Sequence, residues 1–356
     1  MDFNSFLKAL LSLGDASDLH FKVGSPPLLR INGSLRPAKF NKLDAEATKR
    51  IAGGLLDEVK RQELDTLNDY DGSYNIPGET RFRVNIFRQR GQYSIILRVI
   101  PTSVPTLEEL NLPEVIQQVA LEPRGLILVT GITGSGKSTT LASMINYVNA
   151  KKYSHILTIE DPIEFIFQDN LSSINQREIG HDSDSFASAL RAGLRQDPDI
   201  IMVGEMRDAE TINIAVKAAE TGHLVFSTLH TVDASRTINR IIDMYPADHQ
   251  RQLRLQLSSN MKAIVSQRLL PKADGSGRIP AVEVMRTTTT IQEYIETPEK
   301  TSQIKDVIEA GRSQYQMQSF DQHLTDLYNQ KIITLETALE AATSPSDFQR
   351  ALTFEA

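Results

Sequence analysis

The 356-residue chain contains no cysteine. That excludes disulfides, iron–sulfur clusters and cysteine-ligated zinc, and it suits a reducing compartment. No apolar run approaches the ~18 residues that a membrane span needs. Met1-Asp2-Phe3-Asn4 offers neither a basic stretch nor a cleavable apolar segment. A cytoplasmic chain is expected, with any membrane association made through a partner. Excess basic charge is missing too. The net charge is −7 and the pI about 5.6, which argues against nucleic acid as a partner. Internal repeats and low-complexity segments are also absent. What is there, 40% hydrophobic and 23% charged residues, is the balance of a globular protein with a real core. The length points to two domains.

The most informative stretch is Gly131-Ile132-Thr133-Gly134-Ser135-Gly136-Lys137-Ser138. It fits the phosphate-binding pattern G-x-x-x-x-G-K-[ST] at every fixed position. Gly125-Leu126-Ile127-Leu128-Val129 ahead of it suits a buried parallel strand, and Thr139 to Ile145 behind it can open as a helix. Glycines let the backbone approach phosphates and turn its N–H groups inward. A helix start adds partial positive charge there. Lys137 is expected to reach the β- and γ-phosphates of ATP, and Ser138 to hold Mg²⁺ through its hydroxyl. The candidate nucleotide ligands are Gly131, Thr133, Gly134, Ser135, Gly136, Lys137, Ser138 and Thr139, with His223 further along the chain. A chance glycine-rich turn is the competing reading, and the strand–loop–helix context disfavours it.

Upstream, Phe3, Phe6, Leu7, Leu10 and Leu11 recur at helical spacing, so 3–13 reads as an amphipathic helix closed by Gly14. Leu19, Phe21 and Val23 alternate with His20 and Lys22 as in a half-buried strand. Leu29-Arg30-Ile31 before Asn32-Gly33 predicts a hairpin, and 44–64 reads as a second helix. In the next strand Phe82, Val84 and Ile86 share one face while Arg81, Arg83 and Asn85 share the other. A further strand from Tyr93 to Ile100 carries Arg98. These arginines are either a solvated face or, in an oligomeric ATPase, groups supplied across a subunit boundary to the γ-phosphate. Pro101 and Pro105 forbid a continuous helix. A linker is expected over 101–112, between domains at 1–100 and 113–356.

Downstream, Ile156 to Ile159 is a short strand-like run ending in Glu160-Asp161-Pro162-Ile163-Glu164. In an open α/β sheet the reactive face lies beyond the carboxyl ends of the strands. These three carboxylates are either an acidic turn or groups for Mg²⁺ and the attacking water. A helix over 186–196 precedes the buried run Ile200 to Val203, which ends in Gly204-Glu205. A carboxylate after an apolar strand, downstream of a phosphate loop, orients water or Mg²⁺. The usual first acid of that pattern is Asp; Gly204 holds its slot, and Glu205 suits a general base. Ser138, Glu160 and Glu205 are the candidate metal-site residues. After a helix from Asp208 to Thr221, His223 and His230 bracket another strand. His230, at the carboxyl end, is better placed to sense a γ-phosphate than His223, and Thr228 could orient water. In the C-terminal part, 252–265 reads as a helix, and Lys272 to Gly277 as a turn between two strands. Phe320, Leu324, Leu327 and Tyr328 form a core stripe on a later helix, and Thr334 caps another.

In order, the phosphate loop, Glu160 to Glu164, Gly204 to Asp208 and His223 to His230 resemble the Walker A, Asp box, atypical Walker B and His box of the secretion-type ATPases. Those serve type II and type IV secretion and type IV pili. Ala16-Ser17-Asp18-Leu19-His20 and the Arg81 strand extend the likeness over nearly the whole chain, which is most similar to the pilus retraction ATPases of the PilT family. The resemblance implies an α/β chain with a PAS-like N-terminal domain, a RecA-like P-loop ATPase core and a helical C-terminal subdomain from about 286 to 356. It implies a homo-hexamer with ATP bound between the two domains. Glu205 falls on the catalytic glutamate, Glu164 on the Asp-box glutamate, and His223 and His230 on the His-box histidines. Arg81, Arg83 and Arg98 fall in the sensor strands. An inner-membrane pilus platform protein is the implied partner, with a paralogous pilus ATPase as a second.

Extension and type II secretion relatives usually carry a further N-terminal domain and a four-cysteine metal site. This chain has little before Ala16 and no cysteine, which favours retraction. One stretch departs from the retraction pattern Ala-Ile-Arg-Asn-Leu-Ile-Arg-Glu. Thr290 to Thr297 keeps its apolar spacing, but Gln292 and Glu296 replace both arginines. The expected function is a motor ATPase driving pilus retraction. An accessory nucleotide-binding paralogue and an extension or secretion ATPase are the alternatives. A nucleic-acid translocase is disfavoured by the acidic charge.

Overall fold

A computed structural model describes residues 3–14, 16–31, 33–76, 79–101 and 103–354. The chain divides into two compact units, Met1–Ser103 with Glu164–Ile166, and Val104–Ile163 with Phe167–Ala356.

The first unit is built on an antiparallel sheet of β1 (Ala16–Lys22), β2 (Leu28–Ile31), β3 (Ser34–Pro37), β4 (Asp69–Ile76), β5 (Thr80–Gln89) and β6 (Gln92–Ile100), in the order β3-β2-β1-β6-β5-β4. Strict alternation on β5 works as the sequence implies. Phe82, Val84 and Ile86 are buried against the helices Phe3–Leu11 and Ala45–Leu55, through Leu7, Leu10 and Ile51. The helix expected over 44–64 is broken. Gly53 and Gly54 weaken its last turn, Leu56 turns extended, and the Asp57 side chain caps a separate short helix, Glu58–Gln62, by accepting from Lys60 N. Leu107 and Leu112, inside the stretch expected as linker, are buried in a core of the second unit with Val115 and Ile116.

The second unit holds a sheet of β7 (Gly125–Thr130), β8 (His155–Glu160), β9 (Ser173–Glu178), β10 (Ile200–Val203), β11 (Leu224–Leu229), β12 (Met261–Pro271) and β13 (Arg278–Arg286). Its order is β13-β12-β7-β11-β10-β8-β9, parallel throughout except for β13. This is the RecA-like α/β core. Successive residues face opposite sides, so the apolar runs feed two cores. Leu126, Leu128, Ile201, Val203 and Val225 meet the helices Ala209–Glu220 and Ala234–Asp243. Ile127, Val129, Ile200, Met202 and Phe226 meet Lys137–Asn149 and Val115–Ala120. A sheet covered on both faces needs such unbroken apolar strands.

The helix expected over 252–265 is instead a helix over Ala247–Asn260 followed directly by β12. Ile264 and Val265 are buried and pair with Leu128 and Val129 of β7, so tertiary pairing overrides a helix-like spacing. The C-terminal helices pack Phe320, Leu324 and Leu327 on Leu270, Ile279 and Ala281, and Thr334 caps Leu335–Ala341 as its sequence suggests. Among the described residues no helix is long and apolar enough to cross a membrane.

Two buried titratable groups at β13 push stability in opposite directions with pH. Burial raises the Glu283 carboxyl from 4.5 to about 7, although its Oε1 accepts the Ala234 N–H at 2.8 Å. A raised folded value means the contribution is present below the unfolded value and lost as pH rises through about 7. His323, whose Nδ1 accepts the Val282 N–H at 2.9 Å, is pushed by burial from 6.5 down to about 4. Its contribution is present above 6.5 and lost as pH falls towards 4. Glu283→Gln keeps an acceptor for the Ala234 N–H. It is expected to stabilise the fold by roughly 1–3 kcal/mol more at pH 8 than at pH 5. Equal changes in denaturation midpoint at both pH values would mean that this carboxyl ionises freely in the folded chain.

Candidate active site

Because β7, β8, β10 and β11 run parallel, their carboxyl ends share one edge of the sheet. The register aligns them closely. Thr130 pairs with Leu229 on β11, and Val203 pairs with both Ser227 and Ile159. Gly131, Glu160, Glu205 and His230 therefore all leave the sheet at that edge, each within two residues of a strand end. The chain passes from β7 to β8 over two positions filled later by β11 and β10, which opens a crevice beyond the strand ends.

The phosphate loop runs from β7 into the helix Lys137–Asn149, whose N-cap, Gly136, lies at φ +90°. The first N–H groups of a helix have no partner within it, so this end is a built anion site. Lys137 is nearly buried, and its Nζ donates to the carbonyls of Gly131 at 2.9 Å and Ile132 at 3.0 Å. Burial pulls its pKa below the ordinary lysine value, and the Glu205 carboxylate opposes that shift. A desolvated cation held by two neutral carbonyls fits a phosphate oxygen as a stronger acceptor. Ser135 Oγ is buried without a hydrogen-bond partner among the described residues. A Cβ on Gly134 would meet nothing within 4 Å, so the crest of the loop is open. A cavity of about 500 Å³ adjoins it, lined in part by Thr133, Gly134, Leu269 and Arg278.

Glu205 follows β10 in a turn fixed by Thr228, whose hydroxyl donates to the Gly204 carbonyl at 2.7 Å. That carbonyl, rather than a water, is the partner of the Thr228 proton. The Glu205 side chain is largely buried. One carboxylate oxygen pairs with Arg207, and the other lies 3.5 Å from His230 Nε2. The hydrogen bond to Glu205 raises the Arg207 pKa. Glu160, also buried, accepts from the Thr158 hydroxyl at 2.7 Å and from Gln176 Nε2 at 3.1 Å. No group of three or more His, Asp and Glu side chains is gathered as a metal site among the described residues.

The other expected site residues belong to the first unit or to the amino end of β11. His223 sits at the amino end of β11, roughly 20 Å along the strand from His230, and its Nδ1 is 2.9 Å from the Ala218 carbonyl. Glu164 groups with the first unit, where its carboxylate is 3.6 Å from Arg83 Nη1. In that unit Arg30, Asp18, Arg98, Arg83 and Ser73 are successive cross-strand partners over β2, β1, β6, β5 and β4. Arg81 lies on the same face and donates to Ser73 Oγ at 2.7 Å. Arg98 donates to Asp18 Oδ1 at 2.9 Å. Burial works against the Asp18 carboxylate, but bonds from Arg98 and Ser17 and the charges of Arg98 and Arg30 hold it below its usual range. In the departed stretch, Ile291 and Ile295 are buried on the helix Thr289–Glu296, and Glu296 accepts from the Ser258 hydroxyl at 2.7 Å.

Sequence reasoning missed two residues that shape this edge. Arg207 takes up one Glu205 oxygen, and Gln267 on β12 is buried under the phosphate loop. A glutamine between the apolar residues Ala263 to Val265 and Leu269-Leu270 was the available signal for the second.

A family model for type II/IV secretion system proteins matches residues 70–353. The chain belongs to the type II/IV secretion ATPase family. It is 44% identical over 348 residues to a type IV pilus retraction ATPase, PilT, of Pseudomonas aeruginosa, covering 98% of this chain and all of that one. It is 42% identical over 349 residues to the type IV pilus ATPase PilU of the same organism, covering 98% and 91%. A crystal structure of the pilus retraction motor PilT with bound ADP superposes with a TM-score of 0.90 at 45% identity, over 98% of this chain and 99% of that one. As a secretion ATPase of this kind the chain is an ATP-hydrolysing enzyme.

Proposed function

We propose that this chain is a hexameric motor ATPase that couples magnesium-dependent ATP hydrolysis to retraction of a type IV pilus, and so to twitching motility. One observation carries the reading. The open phosphate loop and the Glu205–His230 pair leave a single edge of the sheet, in a chain similar along its whole length to a retraction ATPase.

In this reading the loop from Gly131 through Thr139 binds the phosphates, with Lys137 on the β- and γ-oxygens. Mg²⁺ would be held with the help of Ser138, Glu160 and Glu205. When bound it neutralises charge on the transferred phosphoryl group. Glu205 positions the attacking water and accepts its proton. For that, its Arg207-paired oxygen must be released, or the oxygen facing His230 must serve. His230 senses the γ-phosphate. Arg81, Arg83 and Arg98 are assigned to phosphate contacts in the assembled ring, and Asp18 orients Arg98. Glu164 is assigned to catalysis and His223 to nucleotide binding. The working partner is an inner-membrane pilus platform protein at the cytoplasmic face, with a paralogous ATPase alongside.

The test is deletion of the gene in its own organism, scored for surface pili and twitching. Excess surface pili without motility is the expected phenotype. Loss of pili would replace retraction with extension.

A further inference from the structure

Gln267 lies in the middle of β12 and is 2% exposed. A primary amide in so dry a place is costly unless both of its ends are bonded. Both are. Nε2 donates to the Ser135 carbonyl, and Oε1 accepts from the Thr140 hydroxyl at 2.8 Å. Ser135 precedes the N-cap Gly136, and Thr140 lies in the first turn of the helix that follows. One side chain therefore ties the crest of the loop to the helix, across the stretch that contains Lys137 and Ser138.

The strand beneath is fixed independently. Val265 and Ser266 pair with Val129 and Thr130, and the Thr130 hydroxyl donates to Ser266 Oγ at 2.9 Å. Gln267 thus comes level with Gly131, where β7 ends. The packing is close at two of the loop's glycines. A Cβ on Gly131 would come 2.4 Å from the Gln267 carbonyl oxygen, and one on Gly136 would come 2.8 Å from Nε2. Both positions also have positive φ, +147° and +90°. The loop rests on Gln267 where its backbone must turn.

We infer that Gln267 is a positioning residue for nucleotide binding. It fixes the height and curvature of the phosphate loop, and hence the affinity for a nucleoside polyphosphate, without touching the nucleotide. This rests on the reading of residues 131–138 as the nucleotide site. A core amide with no such role would affect folding stability alone.

The test uses the full chain as wild type, Gln267→Leu, Gln267→Glu, Thr140→Val and, as a control, Lys137→Ala. ADP and ATP dissociation constants, KM, kcat and the melting temperature without nucleotide are measured for each. Gln267→Leu removes both bonds at similar volume. It is expected to raise Kd and KM about tenfold, the scale of one net hydrogen bond, with kcat within about threefold of wild type. Gln267→Glu keeps the acceptor for Thr140, loses the donor to Ser135 and sets a negative charge beneath the phosphates, so its Kd should rise further. Thr140→Val unties the Oε1 end alone and should give a smaller rise of the same sign.

A lowered melting temperature with unchanged Kd in these variants would overturn the inference, as would a fall in kcat at constant KM. If Gln267→Leu does not fold, Thr140→Val decides: a wild-type Kd there also overturns it. Failure of the underlying reading looks different, because wild type itself would then bind no nucleotide, or Lys137→Ala would bind as wild type does.

Discussion

Glu205→Gln is expected to bind ATP and ADP within a few-fold of wild type and to hydrolyse ATP about 10²–10⁴-fold more slowly. The substitution conserves shape. One oxygen remains for His230 or Arg207, and the amide still fits a side chain that is only 14% exposed. What it removes is an oxygen able to take a proton from water. Lost pairing with Arg207 contributes little, because that guanidinium is 64% exposed and screened by solvent. The melting temperature should therefore move little while turnover collapses. Nucleotide affinity by fluorescence titration and phosphate release measured on the same preparation separate the outcomes. Normal hydrolysis would take the base away from Glu205. Lost binding with normal folding would make it a ground-state ligand instead.

The parts of this edge that were legible in the sequence share one property. β7, β8, β10 and β11 are short apolar runs that end abruptly in a glycine loop, a carboxylate or a histidine. A strand buried on both faces is mostly apolar until it leaves the sheet, broken here only by small hydroxyl residues such as Thr158 and Thr228, so its end is written in composition. β4 and β9 are different. Asp69-Tyr70-Asp71-Gly72-Ser73-Tyr74-Asn75-Ile76 and Ser173-Ile174-Asn175-Gln176-Arg177-Glu178 are polar edge strands, whose composition carries no apolar run to mark them. Only the end of β12, Arg268 to Leu270, was legible as a strand; its first part was hidden because its apolar residues continue the spacing of the helix before it, and Gln267 was hidden with it. Glu164 shows the opposite failure. Four residues from Glu160 in sequence, it pairs instead with Arg83 of the first unit. Arg98 could be placed on a strand, but its partner Asp18 lies 80 residues away, and no spacing rule reaches that far.

Removal of the Lys137 ammonium should have the largest effect on binding. Lys137→Ala is expected to weaken ATP and ADP affinity about 100-fold, roughly 2.7 kcal/mol, within the range for a hydrogen bond between charged groups. The free chain should change far less. The ammonium is nearly buried, and burial disfavours its charged form. Its removal therefore relieves a desolvation cost while two neutral carbonyls, of Gly131 and Ile132, lose a donor. These terms oppose each other, so the melting temperature without nucleotide should shift by only a few degrees. Ligand linkage gives the sharper readout. At a nucleotide concentration of about 100 times the wild-type Kd, binding stabilises the wild type by about 2.7 kcal/mol and the variant by about 0.4 kcal/mol. Lys137→Arg should not rescue it, since a planar guanidinium does not fit a cradle shaped for a compact ammonium. Equal nucleotide-induced stabilisation of wild type and Lys137→Ala would move the phosphates off this loop, and the assignment of Glu205 would fall with it.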